Sequence, residues 1–220
     1  MRRHFHEELK DFTEDILRMG LLVEEMIATA ARSLFERDSK LAQHVIDSDP
    51  TVNQNEIRID ERAQALIALY QPTAVDLRFL IAAIKMNHDL ERMGDHAVNV
   101  AERVLRLITE PPERPFDILP RMTDQVRKMV RSALDSFATR SEPEAREVLE
   151  GDDVVDDLNR ELASALETLA KKRPDFVDRA FHLMMVGHNL ERIADLATNI
   201  AEDVVYLVKA KEVRHHVEKK

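Results

Sequence analysis

The chain has 220 residues and a formal net charge of −10, with 34% charged residues, four glycines, no tryptophan and no cysteine. This length suffices for one elongated domain or two small ones with a buried core, and the composition favours helices over sheet. The lack of cysteine excludes disulfides and thiolate metal sites, and the acidic balance argues against nonspecific binding to nucleic acid.

The first helix and its boundary are indicated by an apolar period and a capping residue. Over residues 5–30, apolar side chains recur in alternating steps of four and three, a heptad seam sustained through three repeats. The pattern predicts a helix that ends at about Arg37. Asp38 or Ser39 is then expected to cap the next helix, because a short polar side chain accepts hydrogen bonds from its first amides.

Prolines delimit the second and third helices. Pro50 lies inside the second apolar pattern and predicts a kink or a restart near Asp49. The pair Gln71–Pro72 ends this helix, since the residue before a proline is pushed out of the helical conformation. A third helix is expected from about residue 73 to residue 109, which gives three helices in the first half.

A proline-rich segment then separates two similar halves. The stretch TEPPERPFD is polar and lacks periodicity, so we place a linker at residues 111–117. The first three-helix bundle is predicted over residues 1–110 and the second over residues 118–212, with a frayed tail at residues 213–220. The expected fold class is therefore all-α, with two tandem antiparallel three-helix bundles.

The second half repeats the succession of helices seen in the first. Helices are predicted at about residues 118–139, 143–172 and 175–210, and Gly151 is a position where the middle helix can break. The N-terminal segment MRRHFHEELKDF lacks the apolar core of a signal peptide. No stretch approaches the roughly 20 uncharged residues of a membrane span, so we expect a cytoplasmic protein.

An internal repeat is the most informative feature of the chain. Residues 88–107 read HDLERMGDHAVNVAERVLRL and residues 188–207 read HNLERIADLATNIAEDVVYL, with eleven of twenty positions identical. Such self-similarity indicates one supersecondary unit built twice. A repeat that served packing alone would let its polar residues drift, yet here they keep their identities. The recurring polar residues of the first copy are His88, Glu91, Arg92, Asp95, Asn99 and Glu102.

These recurring residues share one narrow strip of their helix. With Glu91 at zero on the helical wheel, the carboxylates, the amide and the imidazole fall within about 80°. A polar helix face is usually only solvated, but like charges one turn apart repel each other, and both copies retain such a pair. Oxygen ligands at this spacing suit hard or borderline cations. The candidate metal ligands on these two helices are Glu91, Asp95, Asn99, Glu102, Glu191, Asp195, Asn199 and Glu202.

The neighbouring helix of each half offers further oxygen ligands. Asn53, Glu56 and Asp60 lie within about 60° on the second helix, so five or more carboxylates can meet if this face borders the third helix. More than one metal ion would then be needed to neutralise them. In the second half the matching candidates are Asp156 and Asn159. Since an amide replaces a glutamate there, we expect a weaker site or one of different nuclearity.

The histidines differ in what the repeat says about them. His88 and His188 recur and point into the strip, so both are candidate ligands, although a solvated role is the more common one. His96 is matched by Leu196, so the function shared by the two halves cannot require it. The pair His215–His216 belongs to the predicted tail, where any metal binding would be adventitious.

Two alternatives compete with a metal-binding helical protein. A di-iron or ferritin-like enzyme needs Glu-x-x-His motifs facing the interior of a four-helix bundle, and the chain offers only Glu212 to His215, in the tail. The chain also has no cysteine nucleophile, no glycine-rich phosphate loop and no Ser/His/Asp arrangement that would support hydrolytic catalysis. We therefore expect no enzyme activity. A helical scaffold with metal-free acidic faces is the second alternative.

Long motifs in both halves resemble the PhoU family. The stretch QPTAVDLRFLIAAIKMNHDLERMGDHAVNVAERV at residues 71–104 is similar to the first-repeat signature of the family. The segment FHEELKDFTEDILRMGLLVEE at residues 5–25 and LERIADLATNIAEDVVYLVKAK in the second repeat extend the resemblance, as does RHH near the end. It therefore spans nearly the whole chain, with motifs in the right order.

The resemblance implies an all-helical, often dimeric cytoplasmic protein that associates only peripherally with the membrane. Its implied partners are the ATPase subunit of the phosphate ABC transporter and the phosphate-sensing histidine kinase. Its implied role is negative regulation: it keeps the phosphate-starvation response off and restrains phosphate uptake when phosphate is plentiful. An accessory protein of a different phosphate transporter would share this fold and motif.

The resemblance also implies cofactors. Members carry a repeated E(D)xxxD motif that holds multinuclear clusters of iron or zinc, and such ligands accept other divalent cations. The motif is matched by Glu91 with Asp95 and by Glu191 with Asp195. The second copy reads ADLA where the family usually has GDHA, so the carboxylates are kept but no histidine stands at position 196.

Overall fold

The computed structural model describes residues 2–110 and 117–209, and within each of these ranges long helices are joined by short turns. Within these ranges the structure contains no strand. A 3-10 turn, Pro174–Phe176, precedes the last helix. The helices are α1 (Arg2–Glu36), α2 (Ser39–Tyr70), α3 (Ala74–Leu107), α4 (Ile118–Thr139), α5 (Glu142–Lys172) and α6 (Val177–Lys209).

Local signals account for most helix ends. Arg37 adopts a left-handed conformation with φ 55° and closes α1. The Asp38 carboxylate then accepts hydrogen bonds from the amides of Lys40 at 2.7 Å and Leu41 at 3.4 Å, so the predicted cap of α2 is confirmed. The predicted bounds of α4 are also confirmed, whereas α6 begins at Val177, two residues later than expected, because the 3-10 turn occupies its start.

Two expected helix interruptions, a restart at Pro50 and a break at Gly151, are wrong. The helix α2 continues through Pro50, which is exposed, so water can donate to the Ile46 carbonyl oxygen that the missing N–H leaves without its helical partner. The helix α5 likewise continues through Gly151. A Cβ at this glycine would lie 2.8 Å from Gln125 Nε2 and 3.1 Å from Met129 Cγ. This glycine therefore permits close packing of α5 on α4 instead of ending the helix.

The six helices form two three-helix bundles that pack side by side. Helices α1, α2 and α3 contact one another, as do α4, α5 and α6, while α3 lies along α6 and α1 contacts α4. The buried apolar side chains of both halves form one continuous cluster. The rings of Phe79 and Phe137 stack across the junction with centroids 5.3 Å apart. The predicted linker, apart from its last residue, and the predicted tail lie outside the described residues.

Polar contacts along α3 and α6 define the direction in which these helices run. Lys85 Nζ lies 3.0 Å from Asp203 Oδ1, and His96 Nδ1 lies 2.9 Å from Asn189 Oδ1. The residue numbers rise on one helix as they fall on the other, so α3 and α6 are antiparallel. In the described part of the chain, no helix has both the length and the apolar character needed to cross a membrane.

Candidate cation-binding sites

In the first half, α2 and α3 are held in register at one buried amide. Asn87 is fully buried, and its Nδ2 donates to the backbone oxygen of Glu56 at 2.9 Å and to Asp60 Oδ1 at 3.0 Å. Further along, a Cβ on Gly94 of α3 would meet Val52 of α2 at an ordinary contact distance of 3.4 Å. This register turns the polar face of α2 towards the acidic strip of α3, as the sequence analysis required.

Three side chains converge at this register. His88 Nδ1 lies 2.9 Å from Glu56 Oε1, and His88 Nε2 lies 3.5 Å from Asp60 Oδ2. Each residue can offer one ligand atom such that all three atoms lie within 4.8 Å of one another. Two carboxylates with an imidazole form a mixed nitrogen and oxygen set, which suits borderline cations such as zinc and iron.

One turn further along α3, a group of carboxylates continues the site. Burial raises the pKa of Glu91, and the neighbouring charges of Asp95, Glu56 and Asp49 raise it further. Burial likewise raises the pKa of Asp95, and Asp49 adds to that shift. These shifts mean that the carboxylates repel one another across the α2–α3 groove. A cation placed among them would relieve this repulsion.

Two buried oxygen atoms in the same groove lack a hydrogen-bond donor. Asn53 Nδ2 donates to Asp49 Oδ2 at 2.9 Å, yet Asp49 Oδ1 and Asn53 Oδ1 have no partner among the described residues. Buried acceptors are normally satisfied by a donor, by water or by an ion. Their location beside Glu91 and Asp95 is therefore consistent with a cation-binding groove.

The second half presents a related but different site. Burial raises the pKa of Asp152 to about 6, with further contributions from the charges of Asp156 and Asp195. His188 Nδ1 lies 3.3 Å from Glu191 Oε2 on its own helix. Over the parts of the chain that the structure describes, the only compact three-ligand group of histidines and carboxylates is the one in the first half.

Side chains of α6 and α5 modify the second site. Arg192 Nη1 lies 2.8 Å from Asp195 Oδ2 and partly neutralises this carboxylate. On α5, Asn159 packs so close to Gly187 of α6 that a Cβ there would lie 2.9 Å from its Oδ1. The second groove therefore brings Asp152, Asp156, Glu191 and Asp195 together but carries an arginine at its edge.

Four further predicted ligands stand towards the C-terminal ends of α3 and α6. Asn99 is one turn beyond Asp95, about 6 Å along α3, and Glu102 is about 16 Å beyond Glu91, so neither can share an ion with the Glu56–His88 end. Asn199 instead hydrogen-bonds Asp89 at the α3–α6 contact. Glu202 occupies the position of α6 that corresponds to Glu102.

Sequence reasoning missed Asp49 and Asp152. Each lies one helical turn before a residue that was identified, Asn53 in the first half and Asp156 in the second. The signal was present, because the alignment that pairs Asn53 with Asp156 also pairs these two aspartates. Both stand next to a residue that was expected to interrupt the helix, and that expectation removed them from the acidic face.

The fold and the two grooves describe a class of protein: an all-helical repeat protein that presents a carboxylate-rich groove in each half. A model of the PhoU domain matches residues 16–104 and again residues 119–204. The chain therefore belongs to the PhoU family, which consists of accessory and regulatory proteins of phosphate transport and not of enzymes. The family prediction and the all-α, two-bundle fold are confirmed.

Relatives cover nearly the whole chain. A phosphate-specific transport system accessory protein PhoU homolog of Aquifex aeolicus is 40% identical over 97% of this chain and 97% of its own length. A homolog of the same description from Pseudomonas aeruginosa is 39% identical over 97% of this chain and 88% of its own length.

Solved structures show the same architecture. The crystal structure of PhoU from Pseudomonas aeruginosa matches with a TM-score of 0.91 and 38% identity, covering 94% of this chain and 100% of that one. The phosphate transport system regulatory protein PhoU from Streptococcus pneumoniae matches with a TM-score of 0.89 and 29% identity, covering 95% of this chain and 99% of that one.

Proposed function

We propose that this protein is a metal-binding regulatory adaptor of a phosphate-specific transport system. The family, and the description of its relatives as accessory proteins of that system, support the regulatory part. The convergence of Glu56, Asp60 and His88 beside the mutually repelling pair Glu91 and Asp95 is the observation that carries the metal-binding part.

The proposed cofactor is a multinuclear cluster of iron or zinc in the first groove, with a second cation site in the other groove. Glu56, Asp60 and His88 would hold one ion, and Asp49, Glu91 and Asp95 would share another. A single divalent ion would leave most of these five carboxylates uncompensated, which is why we propose more than one. In the second groove, Asp152, Asp156, Glu191 and Asp195 would form the site.

The proposed regulation is negative. In the PhoU-type role, the protein would work in the cytoplasm, peripherally at the membrane and as a homodimer. It would contact the ATPase subunit of the phosphate transporter and the phosphate-sensing histidine kinase, and restrain both uptake and the starvation response when phosphate is plentiful. The metal would serve this role by neutralising the acidic grooves, so that partners meet a surface of defined charge and shape.

Metal content tests the metal-binding part directly. Protein would be purified without chelators or affinity histidines, and its metals would be measured by elemental analysis. We expect iron or zinc in excess of one ion per chain, strongly reduced in a variant carrying Glu91→Ala and Asp95→Ala. Asp135→Asn, a change of an exposed carboxylate on α4, is the matched control and should retain the metal.

Partner capture tests the adaptor part. The same three proteins would be used to pull down the transporter ATPase subunit from cells, with the metal content measured on each sample. Loss of both metal and ATPase in the double variant is the expected result. If the double variant loses metal but captures the ATPase as well as the wild type does, the protein is a scaffold whose acidic grooves do not serve its adaptor role.

A further inference from the structure

Three exposed apolar side chains lie on the outer face of α6, near the N-terminal end of the helix. Val177, Phe181 and Met184 are 53%, 53% and 41% exposed, and their spacing of four and three places them on one side of the helix. A phenylalanine at this exposure leaves a large apolar area in contact with water, and clustered apolar exposure of this kind marks interaction surfaces.

This apolar segment and the acidic groove share one face. Relative to Glu191 on the helical wheel, the three apolar residues fall in the same sector of about 80° as His188 and Asp195. The face thus begins with an apolar section of about two turns and continues into the carboxylates. From Val177 to Asp195 it extends about 27 Å, or five helical turns.

The first half repeats the arrangement. The apolar residues Leu77, Ile81 and Ile84 of α3 correspond in the repeat to positions 177, 181 and 184 of α6, because each precedes its counterpart by 100 residues. Ile81 is 44% exposed and the other two are partly buried. On α3 these positions likewise precede His88 and the carboxylates. The recurrence of apolar and acidic sections in both halves indicates a shared use.

We infer that each apolar–acidic face is a docking surface for a basic amphipathic helix of a partner protein. Such a helix would place apolar side chains at positions i, i+4 and i+7 on the apolar section. Its Lys or Arg would follow one to three turns beyond the last of these, against His188 and the carboxylates. The inference rests on the proposed adaptor function for the identity of the partner, and it concerns the metal-free protein, because bound metal would neutralise the carboxylates that face the Lys or Arg.

The charge of this surface favours a basic helix over two other occupants, a second copy of the chain and an anionic lipid surface. A second copy of the chain would bring like-charged carboxylates such as Glu191 and Asp195 together, at a net charge of −10 per chain. Anionic lipid would be repelled by the same residues. A basic helix gains from both sections, because its apolar side chains cover Phe181 and its cations face the carboxylates.

The test uses two labelled helical peptides of 20 residues with Leu at positions 2, 6 and 9. One peptide carries Lys at positions 13, 16 and 20, and the other carries Glu there. Binding to the full chain, freed of metal by a chelator, would be measured by fluorescence anisotropy. We expect the Lys peptide to bind at least about tenfold more tightly than the Glu peptide.

Variants locate the binding. A protein with Ile81→Asp and Phe181→Asp should lose affinity for the Lys peptide about tenfold, as expected for removing apolar anchors. Leu21→Asp changes a side chain on α1 that is 58% exposed and should stay within about twofold of the wild type. Circular dichroism checks folding, and the milder pair Ile81→Ser and Phe181→Ser serves if the aspartate variant unfolds.

Several results would overturn the inference. These are equal binding of both peptides, unchanged affinity in the Phe181 variants, self-association that Phe181→Asp abolishes, or equally tight binding to vesicles of anionic phosphatidylglycerol. Metal content measured on each preparation before the chelator is added separates this inference from the metal-binding proposal. A wild type that contains no metal as purified, and that binds the Lys peptide at the predicted surface, would overturn the metal proposal and support the docking surface.

Discussion

Glu56 of the first half corresponds to Asn159 of the second, and Asp60 corresponds to Ala163. The residue that holds Asp60 differs as well: Asn87 is replaced by Gly187 in the second copy. The Asn159 amide packs close to that glycine, in space that a side chain would otherwise need. The second half therefore lacks both the Asp60 carboxylate and the Asn87 amide that donates to it in the first half.

The carboxylates of α3 and α6 show the opposite behaviour. Glu91 and Asp95 recur as Glu191 and Asp195, and burial raises the pKa of both aspartates. The halves therefore share an acidic groove, and among the described residues only the first brings an imidazole and two carboxylates into one compact group. The comparison teaches that the repeat preserves closely spaced carboxylates, while the helix packed beside it decides which further oxygen and nitrogen atoms join them.

The largest expected difference between the halves concerns zinc affinity. His88→Ala should weaken zinc binding to the first groove by at least about ten- to a hundredfold, the range that loss of even an outer-shell partner produces. His188→Ala should have a smaller effect, since His188 contacts only Glu191 of its own helix. Zinc titrations by calorimetry would measure both, and equal losses in the two variants would contradict the proposed difference.

A pair of glycine substitutions examines how closely the helices pack in each half. Gly187→Ala places a Cβ 2.5 Å from Leu162 Cδ2 and should cost about 1–3 kcal/mol of overpacking. The better helix propensity of alanine returns up to about 1 kcal/mol.

The matched change in the first half is Gly94→Ala, where the new Cβ would lie at an ordinary 3.4 Å from Val52. It should leave the free energy of unfolding unchanged or raise it by up to about 1 kcal/mol. Urea unfolding of both variants measures the difference. Equal stabilities would mean that the α5–α6 contact is as tolerant as the α2–α3 contact.

The smallest expected effect is a pH dependence that originates in the second groove. The pKa of Asp152 is raised from 3.8 to about 6, mainly by burial. The folded state therefore holds a proton that the unfolded state has released between pH 4 and 6, so stability falls as the pH rises through this window.

Because Asp152 is only half-buried, solvent screening limits the contribution to about 1 kcal/mol. In metal-free protein, Asp152→Asn should flatten the fall in the free energy of unfolding between pH 4 and pH 6, whereas Asp135→Asn should not. Urea unfolding at several pH values provides the measurement. An unchanged pH profile in Asp152→Asn would show that the pKa of this carboxyl is not raised in the folded protein.

Signals that act within a few residues were sufficient for the helices themselves. The cap at Asp38 and the bounds of α4 followed from local chemistry and apolar spacing. The restart expected at Pro50 and the break expected at Gly151 do not occur, because each effect depends on surroundings: exposure to water in one case, and the approach of α4 in the other. The local rule is correct, but tertiary packing decides its outcome.

Only part of the candidate sites could be predicted. The pair Glu91 and Asp95 was identified because it recurs after 100 residues on a helix of known period. Asn199 was identified in the same way, yet it lies against Asp89. A helical wheel places a residue on one face but does not show which neighbouring helix its side chain meets.

The sequence by itself determined the all-helical class, the repeat and the acidic strip of α3, because the period of a helix fixes which side chains share a face. Tertiary structure decided that Glu56 and Asp60 would meet His88. That meeting depends on the register between α2 and α3, which is set by packing and by the buried amide of Asn87. Contacts within one helix follow from spacing, whereas contacts between helices follow from how their surfaces fit.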